Sequence, residues 1–246
     1  NKRKSRLVAV SLLIILSVIV VFAGSRLYSQ YREQVIRTEE SQLLTMAGIV
    51  GNNLNSYMEQ QLEEIDLFYS REGMPENVWA ESGGINARTA YFLKNNAGVY
   101  NWITVTEPDG TKFRYELGKK TFRESADGEV KAVDPQDGNH PAEITGKEIS
   151  DQTGWYELYI EKNVPVGSEV YMLTFAMDLG ALYEKIVAPV KIGEAGYSSV
   201  KDQNMNIIMH HVKNQIGLEA VDGRIERYPY LDMSSLNAWI MRQENE

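Results

Sequence analysis

Lys2, Arg3, Lys4 and Arg6 precede an uncharged apolar run from Leu7 to Gly24, and Arg26 then opens a polar region. A helix rises about 1.5 Å per residue, so this run would span roughly 27 Å, close to the ~30 Å hydrocarbon core of a bilayer. The pattern predicts a transmembrane helix over 7–24 behind a cytoplasmic basic flank over 1–6. The positive-inside bias then places residues 25–246 outside the cytoplasm. A cleaved signal peptide is the rival reading, with Ala23-Gly24-Ser25 as its cleavage site. Its apolar region is usually about 7–15 residues, shorter than this run.

Residues 25–70 contain no proline. Apolar side chains recur at Leu43, Ala47, Val50, Leu54, Met58, Leu62, Ile65 and Tyr69. Steps of four and three mark one face of a long helix. Gly48 and Gly51 weaken it by about 1 kcal/mol each relative to alanine. The stripe predicts packing on the domain that follows and is compatible with pairing to a second copy in a homodimer.

A break at Arg71-Glu72-Gly73-Met74-Pro75 precedes a second helical stretch, 77–96, interrupted at Gly83-Gly84. The period then changes to two. Strands are expected over 101–106 and 111–117 around the turn Pro108-Asp109-Gly110. Residues 118–141 are polar and read as a long surface insertion. Further strands are expected over 143–149, 155–161 and 170–179, with a turn at Val164-Pro165-Val166-Gly167, and then a short helix over 180–187. This is an α+β chain in which a long helix leads into an antiparallel sheet of about five strands. The pattern restarts with strands over 196–201 and 206–212 around Asp202-Gln203-Asn204, then helical spacing over 231–242. One hairpin and one helix are too little to close a sheet. The predicted organisation is a sheet module over 71–190 and the start of a second, smaller and incomplete one over 191–246. The alternative is that the hairpin joins the first sheet.

Composition narrows the function. Aromatic residues make up 10 % of the chain, including fourteen Tyr, enough to build a core rather than a disordered stalk. Net charge is −9, which argues against nucleic acid and against tight adhesion to anionic lipid. The absence of cysteine excludes disulfides, thiolate metal sites and cysteine nucleophiles. No Gly-x-Ser-x-Gly, His-Glu-x-x-His or phosphate-cradling glycine loop is present, so no catalytic residue and no cofactor are assigned.

The residues from about 28 onward resemble the double-Cache sensor domains of bacterial transmembrane receptors. Two places carry the likeness. Trp155-Tyr156-Glu157-Leu158-Tyr159-Ile160-Glu161 followed by Phe175-Ala176-Met177-Asp178-Leu179 is similar to the last strands of that family's membrane-distal sheet. Gly196-Tyr197, Ile207-Ile208-Met209-His210-His211 and Ile216-Gly217 are similar to the opening hairpin of its proximal module, where proline usually follows the His that His211 follows here. The likeness implies a PAS-like sensor module over 71–190, a second, incomplete PAS-like module over 191–246, a small-molecule ligand, and an output domain such as a histidine kinase, diguanylate cyclase or chemotaxis transducer. The Arg-Trp-Tyr spacing of the amino-acid-binding subgroup is not found.

Candidate ligand contacts follow from strand parity. Trp155, Glu157, Tyr159 and Glu161 alternate and would share one face. Glu161 and Asp178 could hold an ammonium by charge-assisted hydrogen bonds, with Trp155 and Tyr159 packing on the ligand and Trp102 and Arg114 completing the site. The competing reading makes the aromatics core and the acids solvated. His210 and His211 would point to opposite sides of a strand and so could not share a metal ion. A membrane-anchored protein-interaction domain without a small ligand is the alternative function.

Overall fold

A computed structural model describes the backbone of residues 2–70, 84–119, 122–124, 140–191, 196–230, 232 and 234, and the side chains of these except 2–14 and 122–124. Helix α1 spans Lys2–Tyr69. By contacts the chain divides into one unit over residues 1–49 and another from residue 50 onward. In the first, the large apolar side chains from Ile15 to Phe22 are exposed. No helix among the described residues is long and apolar enough to cross a membrane. Residues 7–14 of the expected span lie outside the described side chains.

The second unit is built on a six-stranded antiparallel sheet in the order β3-β2-β1-β6-β5-β4. Its strands are β1 Tyr100–Thr106, β2 Lys112–Glu116, β3 Phe122–Glu124, β4 Glu143–Ile149, β5 Tyr156–Val166 and β6 Glu169–Asp178. The strand beyond the five expected is β3, which lies inside the polar 118–141 stretch. The turn expected at 164–167 is displaced. Strand β5 runs on through Pro165, and Val166 pairs with Glu169 around Gly167, whose φ is 66°. Proline is tolerated there because β4 covers β5 only from Tyr156 to Glu161, so this end of β5 has a free edge.

One sheet face carries the core. From Val50 onward the helical stripe is buried or packed on it through Leu54, Met58, Leu62, Ile65 and Tyr69. Helix α2 (Gly84–Asn95) adds Ile85, Phe92 and Leu93. The rings of Tyr69, Phe92, Tyr100 and Phe175 meet beneath the helices, with Tyr100 and Phe175 centroids 5.6 Å apart. Edge-to-face geometry of this kind adds to the area buried. The Tyr69 hydroxyl donates to Thr89 at 3.2 Å and that of Tyr100 to Gln61 at 3.1 Å, so neither buried phenol is stranded. Burial pushes both phenols far above their usual range. A charge also enters this face. Lys162, its side chain only 3 % exposed, reaches Asp66 of α1 at 2.8 Å and the His140 carbonyl at 2.8 Å. Asp66 also accepts the Ala142 N–H at 2.8 Å.

Helix α3 (Leu179–Leu182) follows β6 and passes directly into a π-helical turn, Tyr183–Val187. Strands β7 (Val200–Lys201) and β8 (Ile207–Met209) form a separate two-stranded sheet and do not join the first. Met209 and Ile216 nonetheless belong to the same buried cluster as the large sheet. Both strands are shorter than expected, for local reasons. Asp202 Oδ1 accepts the N–H groups of Asn204 and Asn206 at 2.9 Å, and His210 Nδ1 accepts that of Val212 at 3.0 Å. These side chains turn the backbone out of the ladder. The strand therefore ends before the two histidines, whose rings stack 4.6 Å apart instead of facing opposite ways. A 3₁₀ turn, Lys213–Gln215, and helix α4, Asp222–Arg227, complete this part. Residues 77–83 of the expected second helix, and nearly all of the helix expected over 231–242, lie outside the described residues.

Candidate ligand-binding face

The site is assembled on the sheet face opposite the core. Cross-strand partners share a face, and two rows follow from the register. One runs Arg114–Thr104–Thr174–Glu161, the other Glu116–Trp102–Ala176–Tyr159. Strands lie about 4.8 Å apart, so each row is roughly 14 Å long. Ala176 is fully buried between Trp102 and Tyr159, whose ring centroids are 5.6 Å apart at 50°. A larger side chain at 176 would separate the rings.

A bulge in β1 sets the polar chemistry. Tyr100 pairs with Met177 and Trp102 with Ala176, which leaves Asn101 as an extra residue. Asn101 and Trp102 consequently reach the same carboxylate. Glu157 accepts from Asn101 Nδ2 at 2.8 Å on one oxygen and from Trp102 Nε1 at 3.0 Å on the other, and is 6 % exposed. The Arg114 guanidinium lies over the Trp102 ring, 4.2 Å from its centroid, with Nε 2.9 Å from Glu116. Lys119 also pairs with Glu116, and its hydrogen bond leads the effects holding that carboxyl below the usual range. The Tyr159 hydroxyl donates to Glu148 at 3.0 Å, and burial followed by this bond pushes the phenol up to about 12. Glu161 stands at the end of its row, partly buried, with no hydrogen bond or ion pair among the described residues.

Of the residues expected at the site, Trp102, Arg114, Tyr159 and Glu161 occur on this face. Trp155 does not. It precedes β5, is 7 % exposed, and packs on Gly180 and on the Tyr183 ring, 5.2 Å between centroids. Extrapolating strand parity one residue past the strand gave it the wrong side. Asp178 is also displaced from the role expected of it, because its carboxylate caps α3 by accepting the Gly180 N–H at 2.8 Å. It borders instead a recess of about 230 Å³ lined also by Tyr57, Gly98, Leu182 and Lys185. Asp178→Ala is expected to cost about 1 kcal/mol, the usual value of an N-cap, measured by thermal denaturation. Glu157, Asn101, Glu116 and Glu148 were not among the expected site residues. The break in alternation at Asn101-Trp102 was the available signal for the first two. No group of three or more His, Asp or Glu among the described residues could hold a metal ion.

Solved structures share this architecture. A domain of a protein assigned to the sensory box/GGDEF family from Vibrio parahaemolyticus superposes with a TM-score of 0.52 at 14 % identity, covering 81 % of this chain and 83 % of its own. The extracellular domain of vpHK1S-Z8, described as a histidine kinase, matches with a TM-score of 0.52 at 14 % identity over 80 % of this chain and 73 % of its own. The chain shares the fold of these two domains. The ligand-binding domain of Mlp24, solved with asparagine, matches at 0.50 and 16 % identity over 82 % and 81 % of the two chains. No family model and no curated protein matches the chain. The likeness thus rests on the shape of the sheet and helices, at identities too low to carry over individual residues.

Proposed function

We propose that the chain is the ligand-sensing part of a transmembrane receptor, and that it binds a small molecule bearing an ammonium group on the sheet face. The carrying observation is Glu161. Among the described residues its carboxylate has no partner, and it stands in the row beside the Trp102–Tyr159 ring pair. A cation there gains a charge-assisted hydrogen bond from Glu161 and a cation–π contribution from the rings. Arg114 is already engaged by Trp102 and Glu116 and holds the tryptophan in place.

A helix over 7–24 anchors the receptor, with residues 25–246 outside the cytoplasm and the sensor module over 71–190. The exposed apolar side chains from Ile15 to Phe22 support that anchor. A homodimer pairs through the long helix. Signal transfer requires a ligand that binds two arrangements of that helix unequally. Asp66, Gln61 and Tyr69 are the polar points at which the sheet unit grips it.

Calorimetry of the detergent-solubilised chain with a panel of small organic amines, each paired with its uncharged isostere, tests this reading. At least one amine is expected to bind where its isostere does not. Glu161→Gln should weaken that binding about tenfold to a hundredfold, the range for a hydrogen bond to a charged group. Equal binding by amine and isostere, or affinity unchanged in both Glu161→Gln and Tyr159→Ala, would remove the site from this face.

A further inference from the structure

A recess in the sheet unit is bordered by polar groups that the fold leaves unused. It lies where α1, the turn between α2 and β1, and the end of β6 meet, and its volume is about 230 Å³. Met177 and Leu182, both buried, give it an apolar wall. Gly98, at φ 84°, contributes bare backbone, and a Cβ placed there would meet no atom within 4 Å. Three polar side chains line it as well, those of Tyr57, Asp178 and Lys185. Lys185 holds its Nζ 4.4 Å from the centroid of the Tyr57 ring and pairs with no carboxylate among the described residues. The Tyr57 hydroxyl has no hydrogen-bond partner among them either. Burial, followed by the Glu64 charge, pushes this phenol above its usual range, so it remains a donor at pH 7. Asp178 uses one oxygen to cap α3, and the other has no partner among the described residues.

Local backbone bonds hold this arrangement in place. The Asp178 N–H donates to the Val99 carbonyl at 2.9 Å, which ties the end of β6 to the turn that carries Gly98. Lys185 belongs to the π-helical turn, closed by the Ala188 N–H on the Tyr183 carbonyl at 2.9 Å. Such turns are uncommon and recur at functional sites. Asp178 and Lys185 thus border one small space with opposite charges and do not pair with each other. Apolar walls with a few convergent polar groups are the usual make-up of a ligand pocket. At about 30 Å³ per water the space equals about seven waters, which suits a molecule of about six to eight non-hydrogen atoms. A molecule that completes it brings an anionic acceptor to Lys185 and Tyr57, a donor to Asp178, and a short carbon chain to the apolar wall. We propose that the recess binds a short-chain carboxylate that also carries a hydroxyl or ammonium group. The carboxylate accepts from Lys185 Nζ and the Tyr57 hydroxyl, and the second group donates to the unused Asp178 oxygen. The recess shares no residue with the two rows of the sheet face, so this site does not depend on the amine reading.

Calorimetry of the detergent-solubilised chain at pH 7 tests the site with lactate, 3-hydroxybutyrate, alanine and 3-aminobutyrate, beside propionate and butyrate, which lack the donor. At least one of the first four is expected to bind, about tenfold or more tightly than its donor-free counterpart, because charge-assisted hydrogen bonds are the strong ones. Binding by hydroxy acids alone identifies the donor as a hydroxyl, and binding by an amino acid identifies it as an ammonium. Lys185→Gln and Asp178→Asn should each weaken that molecule about tenfold. Asparagine still caps α3, so the second variant keeps the local fold. Glu161→Gln should leave the affinity unchanged. The proposal is overturned when none of the four binds better than its donor-free counterpart, or when Lys185→Gln and Asp178→Asn both leave the affinity as it was. Binding that Glu161→Gln abolishes and Lys185→Gln spares belongs to the sheet face, and it overturns the recess as the site.

Discussion

Replacing Asp66 by alanine is expected to destabilise the sheet unit by about 3 kcal/mol, and Lys162→Met is expected to recover part of that loss in the double variant. The ammonium of Lys162 sits on the core face of β5, its side chain 3 % exposed, with Asp66 as its charged partner at 2.8 Å. Breaking such a pair from one side leaves a charge in a poorly solvated place, which typically costs about 3–5 kcal/mol. The lower end applies because the Asp66 side chain is 32 % exposed, so water enters when it is cut back, and because the His140 carbonyl stays within reach of the ammonium. The Ala142 N–H also loses its acceptor. Methionine fills much of the volume of lysine without a charge, so the double variant holds no buried ammonium that has lost its contact with Asp66. Urea denaturation of the four members of the cycle measures the coupling. A double variant no more stable than Asp66→Ala would show that the buried charge was not the source of the cost.

Trp155→Ala is expected to cost about 4 kcal/mol, in the range for emptying a large aromatic site in a core. The indole packs on Tyr183, and a Cβ built on Gly180 would stand 2.7 Å from its ring. Gly180→Ala alone should therefore cost about 1–3 kcal/mol through overpacking. In the Trp155→Ala background the same change should cost far less, since the obstructing ring is gone. Equal costs of Gly180→Ala in the two backgrounds, measured by thermal or urea unfolding, would refute the contact. The pair also separates two meanings of Trp155. As a core residue it changes stability, whereas a ligand contact would change affinity with stability intact.

The fold was legible wherever burial follows a period. The helical stripe from Val50 to Tyr69 and the alternation in β1, β2, β5 and β6 reflect one dry face against one wetter face, and the sheet realises both. Legibility failed where a side chain overrides the period. His210 and Asp202 bond to nearby backbone and shorten the second hairpin, which no hydrophobic pattern reports. Pro165 reads as a turn in sequence, yet it is harmless on a strand whose neighbour has already ended. At the site, parity identified the common face of Tyr159 and Glu161 correctly and failed for Trp155, because alternation means nothing one residue outside the ladder. The double hydrogen bond on Glu157 depends on an irregularity of register, information that resides in pairing and not in either strand alone.

That irregularity has a consequence for how binding preference can change. Asn101 is the one residue of β1 without a place in the ladder, so losing it would keep Tyr100 and Ile103 facing inward and Trp102 facing outward. The fold would be spared, and one oxygen of Glu157 would be released toward the rings. If the face binds an amine as proposed, a second carboxylate with a free oxygen would suit a doubly charged amine better than a singly charged one. A shift in ligand charge is thus within reach of a change in chain length at one position, with Glu161, Trp102 and Tyr159 of the proposed site left as they are.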